Sequence, residues 1–298
     1  MTLTLVPSSG TFPVPFSTGY QTYSGLLSLL SNVDTEVADE IHGANFSSLT
    51  NSGLLGDFGY GADRPYHKQV YGNQEYRLRL GVTHPDDEAL FEALVRAFVI
   101  NDRSLPLAHG ELTVESVESE TTEQETVLTT AHDLTEADLG GVRVSFETPT
   151  CRQRYGEVWE THPQRTTLFP HLADRWNALA DTPDIEMMPV AETLGEELYT
   201  VPDADAYDTH SIVVYREEPP MDEESTETDD VASDGGQHLN EAQGYTGTWT
   251  FRFKGASEAT KTAVLALSRF AEFSGVGRHT ARGAGTVSVE IVGCDNAF

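Results

Sequence analysis

The chain has 298 residues, with 48 acidic side chains against 18 basic ones and a formal net charge of −30. A hydrophobic content of 38% with 9% aromatics excludes wholesale disorder and is enough for one large domain or two smaller ones. Two cysteines, Cys151 and Cys294, exclude a disulfide framework, and no apolar run approaches the ~20 residues that span a bilayer.

In chain order, TLTLV (2–6) alternates as a strand and Pro7 to Pro15 interrupt it. Residues 20–44 read as helix, with Leu26, Leu27, Leu29 and Leu30 clustered and a break between Asn32 and Thr35. Asp34 or Thr35 is the expected N-cap of the second piece; Val37 and Ile41 share its apolar face and His42 stands at its C-terminal end. EYRLRLGV (75–82) alternates as a strand. Residues 85–101 form a helix that opens on Pro85 and aligns Leu90, Leu94, Ala97 and Phe98. ELTVESVES (111–119) is again a strand, and this order matches a ferredoxin-like split βαβ unit.

The pattern then repeats, with a strand at 142–148 and a helix within 167–180 beginning near Pro170. Strands at 209–217 and 247–255, a helix at 257–273 and a strand at 285–293 complete it. The predicted fold class is α+β, with tandem ferredoxin-like (RRM-like) βαββαβ domains over 1–125 and 141–298 and a linker at 126–140. Residues 217–241 hold ten acids and no Lys or Arg, which predicts a solvated hairpin insertion. MTLTLVPSSG lacks the basic start and apolar stretch of a signal peptide, so the expected location is the cytoplasm.

Of the 18 basic residues, Lys68, Lys254 and Lys261 are the lysines and 15 are arginine, while the acids are spread over the whole chain. Low lysine with pervasive carboxylate suits molar intracellular salt, where the Debye length falls to ~3 Å and self-repulsion is screened. The expected source is therefore a halophile. In such a solvent net charge does not exclude RNA, because binding rests on short-range contacts: stacking, backbone N–H groups and a few arginines.

GVGRHTARGAG (275–285) follows the last helix and spells GxGxxxxxGxG through Gly275, Gly277, Gly283 and Gly285, with Arg278, His279 and Arg282 as donors. A Rossmann loop runs from strand to helix with a third Gly where Thr280 stands here, and a Walker loop needs GK[ST]; neither fits. By itself such a loop is either a structural turn or a ligand site. The other eight histidines (67, 84, 109, 132, 162, 171, 210 and 238) show no metal spacing, so no metal and no cofactor is expected. Cys151 reads as a small buried residue, and Trp159, Trp176 and Trp249 as core rather than base-stacking residues.

A GxGxxxxxGxG loop between the last helix and last strand of a second ferredoxin-like half resembles the CRISPR-associated repeat-RNA endoribonucleases, the Cas-six family of the RAMP superfamily. Three further features carry the resemblance: Ile41-His42 followed by NFSSLTNSGLLG ending at Gly56, the stretch FETPTCRQRYG (146–156), and LFPHLADRWNAL (168–179). The resemblance implies metal-independent cleavage of CRISPR repeat RNA (pre-crRNA) to crRNA. The upstream 2′-hydroxyl attacks the scissile phosphate and leaves a 2′,3′-cyclic phosphate and a 5′-hydroxyl.

On that pattern His42 is the general acid or the general base, since an imidazole suits either. Tyr23 is the nearby phenol, with Tyr20 as its alternative, and Ser52 a charge-stabilising donor, with Ser48 or an arginine as its alternatives. Backbone N–H groups of 275–285 with Arg278 and Arg282 would contact phosphate, which assigns RNA binding to Gly275, Gly277, Arg278, His279, Arg282, Gly283 and Gly285. His279 is open between RNA contact, a second catalytic imidazole and a solvent-facing role. The expected partners are CRISPR repeat RNA and a Cascade-type effector complex, with no membrane. The alternatives are a non-catalytic RAMP subunit that holds guide RNA and, from charge alone, an acidic chaperone.

Overall fold

The structure is a computed structural model that describes residues 1–43, 48–60, 67–83, 87–100, 104–154, 158–179, 185, 190–216 and 239–294. The N-terminal half is built from β1 (Thr2–Pro7), β2 (Phe12–Pro15), α1 (Gly19–Val33), α2 (Thr35–Gly43), β3 (Leu49–Leu55), β4 (His67–Val70) and β5 (Tyr76–Val82). It ends with α3 (Glu88–Val95), β6 (Ser104–Leu107) and β7 (Gly110–Glu118). Its sheet runs β3-β5-β1-β7-β6. Set aside the edge strand β6, and this is the antiparallel order of a ferredoxin-like unit. The alternation in TLTLV is explained by β1 sitting at the sheet centre, with Leu3 and Leu5 fully buried. Asp34 Oδ1 accepts from the Glu36 and Val37 amides, so it is the cap that separates α1 from α2.

Two local expectations are corrected here. Proline-rich 7–15 contains β2, which pairs with β4; Pro13 and Pro15 are tolerated because the pair forms a small two-stranded ribbon. The helix expected over 85–101 is α-helical over Glu88–Val95 and continues as a π-helical turn, Arg96–Ile100. Leu90, Leu94, Ala97 and Phe98 are nonetheless all buried.

The C-terminal half comprises α4 (Gln124–Thr135), β8 (Leu139–Thr150), β9 (Gln153–Arg154), β10 (Val158–Trp159), α5 (Arg165–Asn177) and α6 (Val190–Glu197). The long hairpin β11 (Leu198–Arg216) and β12 (Leu239–Phe253) follows, then α7 (Glu258–Ser274) and β13 (Val287–Gly293). The sheet order β11-β12-β8-β13 is again ferredoxin-like, so the chain is α+β with two such units in tandem. Ser257 caps α7 by accepting from the Thr260 amide. Helix α5 begins at Arg165, not near Pro170. The proline stands inside the helix and removes one backbone bond, while Leu168, Phe169, Leu172 and Trp176 bury on the core. The segment expected as linker, 126–140, is largely α4, whose Val127 and Ala131 belong to the C-terminal core. Both strands of the β11/β12 hairpin are longer than expected, and most of the acidic 217–241 segment lies outside the described residues. Among the described residues no helix is long and apolar enough to cross a membrane.

The two halves are joined through β3. Asn51 is buried and uses its whole amide: Oδ1 accepts from the Thr22 hydroxyl (2.9 Å) and the Gly53 amide (2.7 Å). Its Nδ2 donates to Gly19 O (3.0 Å) and, across the halves, to Ala281 O (2.9 Å). Thr50 Oγ1 donates to Phe273 O at 2.9 Å, and Arg79 reaches Glu147 and Val287 O at 3.0 Å each. Replacing Asn51 by Ala leaves several buried groups unpaired and is expected to lower stability by about 3 kcal/mol. Denaturant unfolding of Asn51→Ala measures this; a loss under about 0.5 kcal/mol would show that the amide is replaceable.

Candidate functional site

The Gly-rich loop leaves α7 and returns into β13 lying against the N-terminal half. A Cβ on Gly283 would sit 2.4 Å from the Gly19 Cα, and one on Gly19 would meet Arg282 O at 2.2 Å. These two glycines let the loop backbone touch the first residue of α1, with Gly283 at a left-handed φ of 92°. Ala281 completes the contact by burying in the N-terminal core.

Most backbone donors of the loop face the protein. The N–H groups of Gly275, Val276, Arg278, Arg282, Ala284 and Gly285 go to Ala271, Gly285, Cys151, His279, His279 and Pro149 carbonyls respectively. Gly275, Gly283 and Gly285 are themselves buried, so the part of the expected RNA-binding set that reaches solvent is exposed Arg278 with half-buried Gly277, His279 and Arg282. The loop is therefore a docking element with a small polar tip, rather than an open cradle of amides.

That tip collects several of the sequence candidates. Arg278 is exposed and its guanidinium bonds Gln153 Oε1. The Arg282 guanidinium lies 5.7 Å from the Tyr23 ring on α1. Burial raises the Tyr23 phenol pKa, opposed by Arg282, so Tyr23 is a neutral hydroxyl in the physiological range. Burial first, then Arg282 and Arg278, lower the His279 imidazole to about 4, so it is uncharged at neutral pH.

Ser52 is placed differently from the expectation. Its hydroxyl donates to Gly53 O at 2.6 Å and accepts from the Arg79 amide at 2.9 Å, which commits it to the irregular stretch of β3. His42 occupies the last turn of α2, and its side chain lies outside the described residues.

Behind the loop stand residues whose role the sequence did not signal. Arg175 Nη1 donates to Gly275 O at 3.2 Å. Buried Arg152 lies 3.6 Å from Glu160, and its Cγ is 3.0 Å from where a Cβ on Gly277 would be. Cys151 and the Trp176 and Trp249 rings are core, as their sequence context suggests, and Trp159 packs beside Cys151.

A cleft of about 320 Å³ opens between the halves on the other side of Gly283, with Phe16, Phe58, Lys68, Glu147 and His210 in its walls. Sequence reading passed over Lys68. Its ammonium lies 3.4 Å over the Phe58 ring, and burial lowers its pKa to about 8. The ring favours the charged form while desolvation disfavours it, and desolvation prevails. Because the folded pKa lies below the ordinary lysine value of 10.5, the charged lysine destabilises the fold below pH 8, and this penalty fades as the pH rises through 10.5. Lys68→Met is therefore expected to raise the melting temperature at pH 7 by about 2 °C or more, with the gain gone by pH 11. Thermal unfolding at the two pH values reads this; equal or lower stability of the variant at pH 7 would refute it.

Residues 144–287 match the family model of the CRISPR-associated endoribonuclease Cas6. No curated protein matches the chain in sequence. Among solved structures, the chain is similar to a product complex of Cas6 (TTHB231), over 97% of this chain and 98% of that one, with a TM-score of 0.63 at 21% identity. A further structure of that protein, Thermus thermophilus Cas6, gives 0.60 at 20% identity over 97% and 96%. A Cas6-related protein from Pyrococcus furiosus gives 0.58 at 11% identity, covering 97% and 98%. At these identities the shared property is the fold. The family's sequence pattern spans β8 to the start of β13 and contains the Gly-rich loop, while the N-terminal half with His42 is joined to it by the fold. The Cas6 sequence pattern therefore covers residues 144–287 and the Cas6 fold nearly the whole chain.

Proposed function

We propose that this protein cleaves CRISPR repeat RNA within pre-crRNA, without a metal, in a halophilic cytoplasm. The observation that carries the reading is the grouping of Arg278, His279 and Arg282 at the loop tip, with Arg282 against the Tyr23 ring of α1, within and against the segment that matches the Cas6 family. In molar salt a phosphate is held by donors in direct contact, and guanidiniums on a rigid loop supply them.

The reaction is an in-line attack of the 2′-hydroxyl on the adjacent phosphorus, which breaks the bond to the 5′-oxygen and leaves a 2′,3′-cyclic phosphate and a 5′-hydroxyl. His42 transfers a proton in this step. Arg278 and Arg282 stabilise charge on the phosphorane oxygens, and the neutral Tyr23 phenol steadies Arg282 through its ring face. The product RNA would pass to a Cascade-type effector complex.

A second reading, a subunit that holds guide RNA without cutting it, draws support from the extent of the family match, which includes the loop but not His42. A solved RAMP protein described as binding different RNA substrates shares the fold at a TM-score of 0.53, with 13% identity over 97% of this chain and 98% of that one.

The two are separated by incubating labelled host repeat RNA with the protein in molar KCl and excess EDTA. One specific cut with a cyclic phosphate end is expected, together with a loss of at least about 100-fold in His42→Ala while RNA affinity stays within about threefold. Tight binding without a cut would establish the guide-holding subunit, and neither binding nor cutting would overturn both.

A further inference from the structure

Among the described residues His279 is the one non-glycine residue with a left-handed backbone, at φ 62° and ψ 27°. The other left-handed positions of its loop, at Gly275, Gly277, Gly283 and Gly285, are all glycine. A β-carbon in this region is strained, and glycine would relieve the strain at once. Strain of this kind persists where the side chain does something that glycine cannot.

The backbone fixes the residue firmly. The His279 carbonyl accepts from the Arg282 amide at 2.8 Å and from the Ala284 amide at 3.3 Å, and the turn it opens, Thr280–Arg282, packs on β3 and α1. The imidazole is half-buried at the polar tip, between the two arginines assigned to phosphate, and no hydrogen bond to a described residue holds its ring.

Building on the endoribonuclease reading above, we infer that His279 is the general base of the cleavage, taking the proton of the attacking 2′-hydroxyl. A ring nitrogen accepts that proton as the 2′-oxygen bonds to phosphorus. The bond to the 5′-oxygen breaks, and that oxygen takes a proton from His42, which thereby becomes the general acid. The proton on His279 returns to solvent and His42 regains one, so the enzyme is restored with no other reactant.

The groups around the ring suit this assignment. Arg278 and Arg282 flank it on its own loop; α1 contributes the phenols Tyr20 and Tyr23, β3 contributes no ionisable group, and the end of β8 brings Cys151 and then Arg152 with its partner Glu160. The influences on the ring are burial and the two guanidiniums, with no carboxylate among them, and all three keep it unprotonated. A base must start the reaction in that form, whereas an acid must not.

The test uses the full-length protein, labelled repeat RNA in molar KCl, and three variants: His279→Gly, His279→Asn and His42→Ala. His279→Gly is expected to melt at the same temperature as the wild type or about 2 °C higher, because the strain is gone. It should cleave at least about 100-fold more slowly, bind a repeat carrying a 2′-deoxy at the cut site within about threefold of wild type, and regain rate with added imidazole. His279→Asn, which tolerates the left-handed backbone but cannot carry the proton, should show the same loss.

In the wild type kcat/KM should not fall between pH 7 and pH 5, since the free-enzyme base titrates near 4 and the acid becomes more fully protonated as the pH drops. An ordinary imidazole base would lose about 25-fold of its reactive form over that interval, more than the gain in protonated acid restores. Cleavage within threefold of wild type by His279→Asn, or a net fall of more than about threefold towards pH 5, would overturn the assignment while leaving the endoribonuclease intact. Equal losses of binding and cleavage would make His279 an RNA contact instead. A wild type that does not cut would refute the underlying reading, not this residue's role within it.

Discussion

The arrangement depends on one buried amide. Asn51 has two donors and two acceptor sites, and the structure fills all four with groups from three separate places: the start of α1, the irregular part of β3 and the Gly-rich loop. A side chain with fewer capacities would leave one of these backbones unsatisfied in a dry environment, where an unpaired group is expensive. Because Ala281 O is among the partners, the amide sets where the loop of the C-terminal half lies on the N-terminal half. Gly19 and Gly283 then determine how closely the two backbones approach.

This changes what the glycines mean. Glycine density in a loop is compatible with a ligand cradle or with tight packing, and here the packing demand accounts for most of it. A Cβ on Gly285 would meet Val276 O at 1.9 Å, and one on Gly277 would meet Cys151 O at 2.6 Å. The backbone is folded on itself and on its neighbours so fully that it offers few amides outward. What it offers is rigidity, holding two guanidiniums and an imidazole at a fixed place on the junction of the halves.

Much of this was readable from the residues. Alternation in TLTLV and YRLRLGV points to the central strands, and α7 matches to within one residue the helix expected over 257–273, because those signals are local. Doubling of one element order gave the tandem fold. The limits of α5 and of the β11/β12 hairpin were not legible, since burial of Leu168 and Phe169 outweighs the break that Pro170 suggests. Asn51 looks like a turn residue within LTNSGLL; besides Gly53 its partners lie 29, 32 and 230 positions away, beyond any window of periodicity. Lys68 was equally silent, because its distinction is burial against Phe58 and not a motif.

The distribution of ion pairs bears on how so acidic a chain could present the proposed phosphate site. Outside the loop several arginines are matched by carboxylates: Arg79 by Glu147, Arg143 by Glu290, Arg152 by Glu160, and Arg269 by Glu120 and Glu272. At the loop tip and in the cleft the described partners change character. Arg278 is held by the neutral amide of Gln153, and Lys68 by the face of an aromatic ring. A neutral partner orients a cation without cancelling its charge, so an arriving phosphate need not displace a carboxylate. Where the Debye length is ~3 Å, the −30 carried by the rest of the surface is not felt at that contact. The net charge thus governs the solvent in which the protein stays folded and dispersed, while the choice of neutral partners for a few cations governs what it can bind.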